Sequence, residues 1–164
     1  MKKLLIFGLL VVVGVYGSGA WTFSQAHLNG LLGDWEDMSA KGDADAICDT
    51  FADDMTFSFD EHTTESSGIR EGDKQELCAY LRKLEPAMAR AGVTSTVTRE
   101  NISVTRSWLH PWTAELSYTE HRTTLVPSRG SIRTVSNDRI ALVKSLRGVL
   151  ITRLESVIRI DSHS

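Results

Sequence analysis

The chain has 164 residues, 41% of them hydrophobic, with 21 acidic and 18 basic side chains, three prolines and two cysteines. That is enough chain for one domain burying about two-thirds of its unfolded surface, with no need of a metal or a disulfide lattice. The net charge of −3 and the lack of low-complexity tracts exclude intrinsic disorder, and a pI near 5.9 excludes a general nucleic-acid binder.

Met1-Lys2-Lys3 leads into residues 4 to 16, all apolar or glycine, and no charged residue follows until Asp34. Gly17-Ser18-Gly19-Ala20 puts small residues where a signal peptidase reads, so residues 1–20 read as a secretory signal and the mature chain starts at Trp21. The rival reading continues to Phe23, giving an uncleaved anchor of 20 weakly polar residues, just enough for ~30 Å of hydrocarbon. Either way the protein is expected in the periplasm or another extracytoplasmic space. It is soluble after cleavage near Ala20 or held in the inner membrane by residues 4–23, and this segment is its only membrane contact. No cysteine lies near residue 20, which argues against a lipoprotein.

Export would place Cys48 and Cys78 in an oxidising compartment. Bridged, they close a loop of about 30 residues and contribute roughly 3 kcal/mol through chain entropy. Unbridged, they are two small buried hydrophobes on separate helices.

From Ser24, Leu28, Leu31, Leu32, Trp35 and Met38 recur at helical spacing, and Lys41-Gly42 ends that helix. Asp43 or Asp45 caps a second, short helix carrying Ala46, Ile47 and Phe51. Met55, Phe57 and Phe59 then alternate with polar residues, predicting a short strand. Residues 62 to 72 read as a polar loop. Asp73 and Glu76 form a capping pattern for a third helix with Leu77, Tyr80, Leu81 and Leu84 on its apolar side, bent or ended by Pro86. Beyond Gly92, alternating Thr, Val, Ser and Arg predict four strands near residues 94–107, 112–126, 131–144 and 149–160. The short breaks between them predict consecutive hairpins. Residues 24–161 thus read as one α+β domain without repeat or linker.

This order, with Phe51-Ala52-Asp53-Asp54-Met55-Thr56-Phe57 at the junction of second helix and first strand, resembles the nuclear-transport-factor-2-like superfamily, which includes polyketide-cyclase-like proteins and ketosteroid isomerases. Gly72 before the third helix and residues 148–154 in the closing strand add to the likeness, which covers about 135 residues. The resemblance implies three N-terminal helices packed in the concave face of a curved, mainly antiparallel sheet, a cone with any ligand in its open end. It also places Phe59 where the isomerases carry their catalytic aspartate, so no base is expected there.

Tyr118 and Glu120 continue the face of Ala114 and Leu116 and are pocket candidates, against the simpler reading of a core tyrosine and a rim glutamate. Asp60 and His62 are further candidates, although strand alternation turns Asp60 away from Phe57 and Phe59. Asp60-Glu61-His62 lacks metal-ligand spacing, no G-x-S-x-G or phosphate-cradling glycine loop occurs, and neither metal nor cofactor is expected. Asn101-Ile102-Ser103 is a sequon only in a glycosylating host.

Charge divides unevenly. Residues 21–91 hold 15 acidic and 6 basic side chains; residues 92–164 hold 6 acidic and 10 basic, nine of them arginine. An arginine-rich outer sheet surface follows, with Arg122, Arg133, Arg153 and Arg159 as interface candidates, or else a solvated face of weak ion pairs. The favoured expectation is an exported or tethered binding or assembly module that pairs through the sheet with a second copy or an envelope protein. The alternative is a small-molecule binder or polyketide-cyclase-like enzyme using the cone.

Overall fold

The computed structural model describes residues 22–63, 67–127 and 130–161. The expected signal in residues 1–20 lies outside them, as does the expected anchor up to residue 21, whereas its last residue, Phe23, is buried in the core cluster. Among the described residues no helix is long and apolar enough to cross a membrane.

Helix α1 (Gln25–Lys41) starts at Ser24, whose side chain accepts from the His27 amide, and stops at Gly42, whose left-handed φ of 70° disfavours any side chain. A Cβ on Gly42 would also sit 3.3 Å from that of Ala89. Asp43 caps α2 (Ala44–Asp49) through the Ala46 amide. Asp73 caps α3 (Lys74–Arg90) through the Glu76 amide. Pro86, expected to bend or end α3, lies inside it. The helix runs four residues further because the Gly42 backbone packs on Pro86 and Glu85 anchors the neighbouring turn, accepting from the Ser39 hydroxyl at 2.7 Å. A Cys48–Cys78 disulfide, Cα atoms 5.8 Å apart, joins α2 to α3.

The six strands are β1 (Phe51–His62), β2 (Ser67–Asp73), β3 (Thr94–Arg106), β4 (Thr113–Val126), β5 (Gly130–Ser145) and β6 (Gly148–Asp161). They form one curved, unclosed sheet in the order β2-β1-β6-β5-β4-β3. Every neighbouring pair is antiparallel except β1 with β6. Two expectations need correction. The first strand is 12 residues long, taking in Phe51 from the expected helix, and the expected loop of residues 62–72 contains edge strand β2. β2 escaped notice because almost all of it is exposed, so no alternation marks it.

The helices lie in the concave face. Leu28, Leu32, Ile47 and Leu77 are buried against Met55, Phe57, Leu116, Ile140, Leu142 and Ile151. Burying some 150–250 Å² per aromatic, with ~25 cal/mol for each apolar Å² removed from water, makes this cluster the main source of stability. Tyr80, placed by spacing on the apolar side of α3, is exposed, with the Arg70 guanidinium 5.1 Å from its ring centre.

Candidate functional site

Alternation sends the even-numbered residues of β4 and β5 inward. Ala114, Leu116, Tyr118 and Glu120 pair in register with Leu142, Ile140, Asp138 and Ser136. The first two pairs close the apolar base of the cone, and the next two turn the same face polar. Bulges in the flanking strands complete the wall. In β3 the register shifts between Glu100 and Ser103, with Asn101 in the left-handed region at φ 55°. Asparagine tolerates that conformation better than most residues. The extra residue resets the alternation, so Arg99 rather than Glu100 faces inward with Glu120. In β6 the shift between Ile151 and Arg153 puts Leu154, Ser156 and Ile158 inside and Arg153, Glu155 and Arg159 outside.

The inner face therefore carries a linked polar cluster. Buried Glu120 accepts from Arg99 Nε at 3.1 Å and from Arg122 Nε and Nη2 at 3.0 and 2.8 Å. Arg99 also reaches Glu36 of α1 at 2.5 Å and lies 5.4 Å from the Tyr118 ring centre. Burial works against the Arg99 charge, but Glu120 and Glu36 outweigh it and hold its pKa above the usual arginine value. One strand across, Asp138 accepts from Ser156 Oγ at 2.5 Å and Ser136 Oγ at 2.9 Å. Burial pushes its carboxyl pKa up, the Glu120 charge adds to that, and the two serine hydroxyls and Arg122 offset part of it. Burial, with Asp138 and Glu120 beside it, raises the Tyr118 phenol far above its ordinary value, so it keeps its proton. A protonated phenol and a carboxyl whose pKa is raised by burial, side by side, suit hydrogen bonding to a ligand oxygen.

The structure brings Tyr118 and Glu120 together on this wall. Asp60 and His62 are elsewhere: they pair with each other at 3.2 Å, on the face opposite Phe57 and Phe59, as alternation requires. Arg122, an expected interface residue, is drawn inward by Glu120 because it shares that residue's strand parity. Phe59 packs on the core with its backbone in register with Ser156, so the isomerase base position holds a ring. Asp138, Ser136, Ser156 and Arg99 were missed. A signal for Asp138 and Ser156 existed, since each stands two residues from an apolar residue of the inner face: Asp138 from Ile140, Ser156 from Leu154 and Ile158. Among the described residues no group of three acids, histidines or cysteines could hold a metal.

The outer face carries Arg133, Arg153 and Arg159. Arg153 and Arg139 share Glu115 at 3.7 and 3.4 Å, and Arg153 also meets Glu155 at 3.5 Å. A depression of about 440 Å³ opens on the sheet, and Tyr118, Asp138 and Ser156 line it together with Ser117, Arg139 and Glu155.

No protein-family model matches the sequence, and no curated relative does. Solved structures do match. The beta subunit of the benzoate 1,2-dioxygenase from Burkholderia mallei superposes with a TM-score of 0.65 at 16% identity, over 84% of this chain and 91% of that one. ActVI-ORFA from Streptomyces coelicolor gives 0.58 at 12% identity, over 81% and 95%. A Catenulispora acidiphila protein in complex with S-DNPA gives 0.57 at 16% identity, over 81% and 91%. At these identities the likeness establishes architecture, and the chain has the nuclear-transport-factor-2-like cone fold.

Proposed function

We infer that the chain is an exported binding protein that takes a small, largely apolar molecule into its cone and holds an oxygen of that molecule against Tyr118 and Asp138. The observation that carries this reading is the polar pair placed by register on the concave wall, above an apolar base and beside Phe59. The presence of S-DNPA in one structure of the same fold supports it. With a phenyl ring where the isomerases keep their base, binding is favoured over proton abstraction.

The test is a thermal-shift and titration screen with phenols and aryl ketones, 1-naphthol and 2-acetylnaphthalene among them. At least one should stabilise the protein, and Tyr118→Phe should weaken it about tenfold, the worth of one hydrogen bond lost in a buried site. A panel without effect, or equal binding by the variant, would overturn the reading.

A second reading concerns the other face of the sheet. Arg133, Arg153 and Arg159 on the outer face favour docking of a second copy or an envelope partner, and arginine is enriched at protein interfaces.

A further inference from the structure

The loop between β3 and β4 is the most exposed apolar feature among the described residues. Trp108 is 76% exposed, Leu109 60% and Trp112 48%. The Lys144 amide donates to the Trp112 carbonyl at 2.7 Å, which sets the β5–β6 turn, with fully exposed Leu146, beside this loop. The four side chains thus share one end of the sheet, the end opposite the polar cluster. His110 lies over Trp112 with ring centres 5.9 Å apart. No acidic residue occurs in residues 107–113 or 143–152, whereas Lys144 and Arg147 do. Asp53 is near enough to feel the Arg147 charge but is paired with Lys74 at 3.0 Å.

We propose that this tip inserts into the interface of an anionic bilayer, so that the protein touches the membrane at a second point beyond its N-terminal apolar segment. Tryptophan prefers the headgroup level, where its ring is buried and its N–H is wet. Bases within a Debye length of anionic lipid contribute about 1 kcal/mol each, and the tip presents bases without intervening acids. The sequence supplies a reason for a membrane to be at hand, in Lys2, Lys3 and the apolar residues 4 to 16. A protein partner fits less well, because four side chains fall short of the roughly 800 Å² that a stable interface buries on each side.

The experiment uses the full chain in phosphatidylcholine–phosphatidylglycerol vesicles with brominated acyl chains. Tip insertion predicts strong quenching of tryptophan emission, and loss of most of the quenched share in a Trp108→Ser/Trp112→Ser double variant. Leu146→Glu, a change in a fully exposed turn that keeps all tryptophans, should give the same loss. Leaving out phosphatidylglycerol should reduce quenching. Quenching unchanged in the double variant would assign it to tryptophans outside the tip and overturn the proposal. Protection of the tip from iodide without vesicles, growing with protein concentration, would overturn it in favour of a second copy.

Discussion

Two carboxylates face into the cone, and their neighbours give them opposite characters. Glu120 is clamped by two guanidiniums, whereas Asp138 accepts from two serine hydroxyls and has a pKa raised by burial. A carboxyl that holds its proton more tightly in the folded chain contributes stability below its ordinary value of 3.8, and that contribution is lost as pH rises through the raised value. Asp138→Asn removes this term. Its stability relative to the unaltered protein should therefore improve as the pH of urea denaturation is raised above 3.8 and level off once the raised value is passed. A difference that does not change with pH would show that Asp138 ionises freely in the folded protein. Tyr118 and Glu120 were legible in the sequence because they extend an apolar alternation. Arg99 was not, because its inward turn depends on a bulge at Asn101 that no local residue pattern announces.

The elements themselves were legible where burial imposes a period. The helix at 25–41, the start of the helix at 74–90 and strands β3 to β6 fall within about two residues of their expected bounds. What failed was the part without a one-sided pattern: the edge strand β2, and Pro86 in a helix whose packing overrides its helix-breaking tendency. Gly72 shows how closely the β1–β2 hairpin is fitted to the core. Its backbone pairs with Phe57, and a Cβ there would lie 2.7 Å from the Phe57 ring. That ring is buried in the core. Gly72→Ala should cost about 1–3 kcal/mol, as overpacking does, read as a lower urea midpoint. Gly68, in the same strand with nothing within 4 Å of its Cβ position, provides the control, and Gly68→Ala should be close to neutral.

For the molecule as a whole, the charge of −3 conceals a division between an acidic helical half and a basic sheet half. Part of that basic charge turned out to be internal, in Arg99 and Arg122, leaving Arg133, Arg153 and Arg159 to decide what the outer surface attracts. If a second copy docks there, Arg153→Glu/Arg159→Glu should lower the mass measured by light scattering to that of one chain. A mass unaffected by the double reversal would remove the outer face from consideration as a self-association surface.

The position of β6 has a consequence for how the protein is made. It is the last strand in sequence yet lies in the middle of the sheet, between β1 and β5, and its pairing with β1 brings together Phe51 and Ile151, a hundred residues apart. Until β6 is available, β1 and β2 have no link through the sheet to β3, β4 and β5. Such long-range closure is slow and is not rewarded until both partners are present. At ~5–20 residues per second, synthesis exposes the amino terminus several seconds before the sheet can close. The fold thus leaves β1 and β2 apart from the rest of the sheet until its last strand has been made.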